Sequence, residues 1–90
     1  MFGLFNKKKK CASQFALDGE VLRIKGDYKK ALKCFNEAIS LEPENDMFYA
    51  SRSIVKKSLS DTKGALADIE KAISIQGSVK RYHQIKESIS

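Results

Sequence analysis

His83 is the only histidine in this 90-residue chain, and so the only side chain whose ordinary titration falls near neutral pH. General acid–base or nucleophilic catalysis needs such a group held beside a cysteine, serine or carboxylate. Sequence spacing places no such constellation around His83, which reads as a surface or packing residue. Cys11 and Cys34 have neither C-x-x-C spacing nor neighbouring histidines, so neither a zinc site nor a disulfide framework is signalled, and a reducing compartment is the default. Cys34 lies beside an apolar stripe and reads as a small packing residue rather than a reactive thiol. Glu42 and Glu44 flank Pro43 in a loop, and Asp68 and Glu70 point to different sides of one helix, so neither pair makes a metal cage. No glycine loop suited to phosphate is present. The expectation is a protein that is not an enzyme, with no cofactor and no metal.

The elements around these residues are helical. Ala31, Leu32, Phe35, Ala38 and Ile39 fall at i, i+1, i+4, i+7 and i+8, one apolar helix face with two small residues set into it. Ala65, Leu66, Ile69, Ala72 and Ile73 reproduce that set 34 residues later. Gly26 suits a left-handed helix end, and Asp27 suits the cap of the helix that follows. The pair makes a tight turn between antiparallel helices. Pro43 stops the second helix, because the residue before a proline is disfavoured in the helical region. Five helices are expected, at about 12–25 with Ser13 as an early cap, 28–41, 47–59 with Asn45 or Asp46 as cap, 62–75 capped by Asp61, and 78–90. Gly19 falls mid-helix, where it costs about 1 kcal/mol relative to alanine and marks a close crossing. The fold class is all-α, built from antiparallel helix–turn–helix repeats.

Ninety residues allow one modest core. A hydrophobic content of 42% and a charged content of 31% are ordinary for a soluble protein. The formal charge is +6, of which Lys7, Lys8, Lys9 and Lys10 supply four units, leaving +2 over residues 11–90. Residues 1–10 join Phe2, Leu4 and Phe5 to this lysine run and read as a basic, flexible tail. The alternative readings are weak membrane-surface contact through the phenylalanines and lysines or non-specific contact with nucleic acid, for which no base-reading motif is present. The opening residues are too short for a secretory signal, and no apolar run approaches a membrane span. The chain reads as cytoplasmic. Residues 11–90 read as one domain: a first repeat at about 12–45, a second at about 46–79 and a capping helix at about 78–90.

A helix pair recurring every 34 residues resembles the tetratricopeptide repeat. The first unit matches through Phe15, Gly19, Leu22, Gly26, Tyr28, Ala31, Phe35, Ala38 and Pro43. The second is looser. Tyr49, Ser53, Ala65, Ile69 and Ala72 fit, while Lys56, Ser60, Thr62 and Gly77 replace the usual aromatic, glycine, aromatic and proline. The resemblance implies a superhelix whose concave groove, lined by the first helix of each pair, binds a protein or peptide. Carried onto this chain, the groove residues are Leu17, Glu20, Arg23, Ile24, Met47, Ala50, Ser51, Ile54, Lys57 and Arg81. Family members that clamp a chaperone's carboxylate tail place asparagines where this chain has Leu17 and Ser51, so that specialisation is not expected here. A mixed apolar and basic groove favours an amphipathic partner with acidic residues. The alternative is a self-associating repeat, a homodimer, because at least three repeats are usually needed to cover every apolar face.

Overall fold

The computed structural model describes residues 9–90. Of the tail at 1–10, only Lys9 and Lys10 fall within them. Five α-helices follow one another: α1 (Ala12–Ile24), α2 (Tyr28–Leu41), α3 (Asp46–Ser58), α4 (Thr62–Ile75) and α5 (Lys80–Ile89). There is no strand among the described residues. α1 pairs with α2 and α3 with α4, α2 joins the two pairs by packing on α3, and α5 covers α4 and touches α3.

Local chemistry sets most of the helix ends. Asp27 and Asp61 accept from the amides of Lys30 and Gly64 at 3.4 and 3.0 Å, and Asn45 accepts from Met47 at 3.0 Å. α1 departs from the expected Ser13 cap. Cys11 takes that position, and its backbone N–H donates to Gln14 Oε1 at 2.8 Å. This is half of a capping box, in which the side chain three residues on closes the end whatever the cap residue itself offers. α5 starts at Lys80, later than the expected Ser78, because Ser78 Oγ donates to Gln76 Oε1 and holds the connecting turn.

The two hairpin turns share one geometry. In the first, the Gly26 and Asp27 amides donate back to Arg23 and Leu22, and in the second those of Ser60 and Asp61 donate to Lys57 and Lys56. This double bond requires a left-handed residue. Gly26 supplies it at φ +87°, and Ser60, 34 residues on, adopts φ +65° with a side chain attached.

The helices of each pair meet at a notch. Gly19 is buried, and a Cβ added there would lie 2.8 Å from Phe35 Cε2. Phe35 can therefore sit over the backbone of α1 and be almost wholly buried, with Ala31 and Val55 beside it. The equivalent residues of the second pair are Ser53 and Ile69, both fully buried. A larger residue in the notch goes with a smaller one above it.

Between the pairs the cement is polar. Arg52 on α3 grips Asp68 on α4 through Nε and Nη2, both at 2.8 Å, and donates through Nη1 to Asn36 on α2 at 3.0 Å. Lys56 reaches the same carboxylate at 3.1 Å. Asp68 is buried, and this is a forked, charge-assisted contact of the strong kind. The carboxylate holds the Arg52 guanidinium above its ordinary pKa, against the opposing effect of burial. At the far end, Tyr82 of α5 donates its hydroxyl to Asp46 Oδ2 at 2.6 Å. Burial, then this hydrogen bond to a carboxylate, pushes the phenol up to about 12.

Three outcomes follow from this packing. Gly19→Ser should destabilise the fold by about 1–3 kcal/mol through overpacking, and Phe35→Ile should relieve part of that loss. Urea denaturation of the singles and the double should give a coupling of about 1 kcal/mol, whereas additive losses would show that the notch does not control the crossing. Ser60→Gly should stabilise by about 0.5–1 kcal/mol, because a left-handed L-residue costs about 1–2 kcal/mol and the extra freedom of glycine in the unfolded chain returns part of it; thermal denaturation reads this as a rise of a few degrees. The Tyr82 hydroxyl keeps its proton in the fold at pH values where an unfolded tyrosine has lost it. Its stabilisation is therefore present below about pH 10 and lost as pH rises toward 12, so the advantage of the wild type over Tyr82→Phe in urea midpoint should shrink across that window.

Candidate functional site

The inner helices α1, α3 and α5 line a cleft of about 850 Å³. Eight of the ten groove residues expected from the sequence stand around it: Leu17, Glu20, Arg23, Met47, Ala50, Ser51, Ile54 and Arg81. Ile24 and Lys57 do not. Ile24 is 75% exposed at the last turn of α1, and Lys57 Nζ reaches to Ser88 Oγ at 3.3 Å, so both sit on the edge beside the cleft. Sequence reasoning also missed Asp46, Val79 and Tyr82 as lining residues. Asp46 and Tyr82 carried a signal only as a pair, through a hydrogen bond that spans 36 positions.

The register of the helices explains the lining. Ser13, Leu17 and Glu20 follow one face of α1, and Met47, Ser51 and Ile54 occupy the same positions on α3. The opposite faces carry the buried Ala12, Gly19, Ser53 and Val55. Leu17 and Met47 are 63% and 64% exposed, a poor arrangement for a packing residue and a suitable one for a contact surface. The charges along the lining are largely matched. Arg23 donates to Glu20 Oε1 through Nε at 3.0 Å and Nη2 at 2.6 Å, and Asp46 accepts from Tyr82. Arg81 is exposed and has no ion-pair partner among the described residues. The cleft is thus apolar along its length and positive at the α5 end.

The residues that first suggested chemistry are elsewhere. His83 is exposed, with Nε2 2.8 Å from the Gly77 carbonyl, and pins the turn before α5. Cys34 is half-buried, and burial pushes its thiol up. Cys11 is exposed, and the Ser13 hydroxyl, then the Gln14 amide, draw its thiol down, but no acid or base partner adjoins it. Among the described residues no group of three His, Cys, Asp or Glu side chains gathers to hold a metal, and no helix is long and apolar enough to cross a membrane.

Comparison with known proteins agrees with this architecture. A family profile described as tetratricopeptide repeat matches residues 15–45. The chain is 37% identical over 65 residues to the STIP1 homolog of Dictyostelium discoideum, covering 72% of this chain and 12% of that protein. It is 48% identical over 50 residues to tetratricopeptide repeat protein 36 of Danio rerio, covering 56% of this chain and 27% of that protein. The chain therefore spans well under half the length of these relatives. Among solved structures, the first TPR of Spaghetti (RPAP3), bound to the HSP90 peptide SRMEEVD, superposes with a TM-score of 0.84 at 18% identity, covering 87% of this chain and 62% of that one. With five helices in paired register, a 34-residue period carried by both pairs and these likenesses together, the chain belongs to the tetratricopeptide repeat family.

Proposed function

We propose that this chain is a protein-interaction module that holds a peptide or a partner's helix in the cleft formed by α1, α3 and α5. The observation that carries this reading is the exposure of Leu17 and Met47 on the inner face while the small and large residues of the opposite face are buried. Leucine and methionine left half or more open to water side by side gain free energy when a ligand covers them, at about 25 cal/mol per Å² of apolar surface removed from solvent. Met47 adds a flexible, polarisable side chain that adapts to more than one apolar shape. Ala16, Ala50 and Ser51 keep the floor low, and Ile54 and Ile85 extend its apolar surface. A cleft of this size, apolar with few polar groups, suits an amphipathic segment. The peptide held by the related repeat of Spaghetti supports the class of ligand. Leu17 and Ser51 offer no pair of side-chain amides for a terminal carboxylate, so the ligand proposed is recognised by its apolar side chains, with acidic residues toward Arg81.

The reading is tested by affinity capture from native lysate with the wild type, Ile54→Glu on the floor of the cleft, and Lys33→Glu on the exposed side of α2. A buried glutamate facing apolar ligand groups costs several kcal/mol, so the proteins captured by the wild type should be lost from Ile54→Glu and retained by Lys33→Glu, with circular dichroism showing equal helicity in all three. Retention of every captured protein by a folded Ile54→Glu would sink the proposal.

A further inference from the structure

Outside the cleft, charge is sorted between two edges of the stack. The 34-residue offset brings the α1–α2 and α3–α4 turns to the same edge, where Lys25, Lys29, Lys57 and Lys63 are exposed. None of these four forms an ion pair among the described residues. The carboxylates on this edge, Asp27 and Asp61, are occupied in capping α2 and α4, with Lys30 a further 3.8 Å from Asp27. On the opposite edge, the α2–α3 connection presents exposed Glu42 and Glu44 and half-buried Asp46, around a shallow depression shared with Met47. The small net charge over residues 11–90 is an average over two edges of opposite sign. The cleft runs between them. Ile24 and Arg23 link its floor to the lysine edge, and Met47 and Asp46 link it to the acidic one.

We propose that the lysine edge is a second recognition surface, outside the cleft, which takes the acidic flank of the same protein segment whose apolar residues fill the cleft and fixes the direction in which that segment lies. The proposal rests on the cleft being a binding site. An amphipathic helix laid along the cleft with glutamates on one flank and lysines on the other meets complementary edges in one direction. Turned end for end, it meets like charges on both sides, which costs affinity and discriminates against that pose. The exposed, unpaired lysines also raise the rate of encounter with an acidic segment.

Three features favour an acidic protein segment over nucleic acid. The cations are lysines, compact point charges without the forked geometry that reads phosphates. The N-termini of α2 and α4 face this edge, but Asp27 and Asp61 already occupy amides that would otherwise cradle a phosphate. Ile24, 75% exposed among the lysines, adds apolar contact that a sugar–phosphate backbone does not use.

The test is fluorescence anisotropy on the full chain with three probes: a designed helical peptide with a leucine stripe, one glutamate flank and one lysine flank; poly-glutamate; and a single-stranded oligonucleotide. Lys25→Glu/Lys63→Glu should weaken the designed peptide about tenfold or more and flatten its salt dependence. Lys71→Glu/Lys80→Glu, an equal change of charge away from this edge, should leave it within about twofold. Ile54→Glu should weaken the designed peptide and leave poly-glutamate binding as in the wild type. Loss of the Ile54 effect alone overturns the cleft reading. Loss of the Lys25 and Lys63 effect alone overturns this inference, as does tighter binding of the oligonucleotide than of the peptide at equal salt.

Discussion

Phe35 lies over Gly19 with no room between them for one methyl group, and the rest of the molecule follows from that approach. Because the second helix of the pair comes down onto the backbone of the first, the first helix buries one side completely and is left with another side free. Protein interiors are packed as densely as organic crystals, so the notch and the residue above it must match in size. Gly19 with Phe35 and Ser53 with Ile69 are two solutions of the same constraint. The division of labour between helices is a consequence. α2 and α4 supply the large buried groups, while α1, α3 and α5 present their remaining faces to the cleft.

Stacking one pair on the next uses different chemistry. Asn36, Arg52 and Asp68 stand on three successive helices, and the guanidinium of Arg52 bonds both neighbours. The equivalent positions of the first pair are Asp18 and Cys34, which cannot form that ion pair. Asp18 instead bonds Lys10 at 2.7 Å in an exposed contact. The difference tracks position in the stack. Arg52 is enclosed by a preceding helix that shares its hydrogen bonds, whereas Asp18 lies on a face with no described helix before it. A charge buried between repeats is stable here because every arm of it is bonded.

Much of this was legible in the residues. The apolar stripes and their offset identified α2 and α4 with their bounds, Gly26 and Asp27 identified the turn, and Gly19 identified the crossing, because each of these is a local rule acting over fewer than five positions. What escaped acts over longer spans or through an unusual residue. Arg52 and Asp68 are separated by 16 positions, and nothing in either neighbourhood marks them as partners. Cys11 as a helix cap runs against residue preference and works through Gln14. Ser60 in the left-handed region looked like a lost glycine, yet the turn kept its geometry and the serine bears the strain. In the cleft, the inner-face register placed eight of ten residues, while Ile24 and Lys57 fell on the edge because helix ends diverge from the mean face. The sorting of charge was hidden for an arithmetical reason: opposite edges cancel in a net value.

The central claim is that the inner faces of α1, α3 and α5 bind and that α2 and α4 support them. The most direct measurement is a two-dimensional amide and methyl NMR titration of the full chain with the leucine–glutamate–lysine helical peptide. The account predicts that shifts concentrate on Leu17, Met47, Ser51, Ile54 and Ile85, with Lys25 and Lys57 following and the outer face of α2 unmoved. Shifts concentrated on the outer faces of α2 and α4, with Leu17 and Met47 silent, would contradict it.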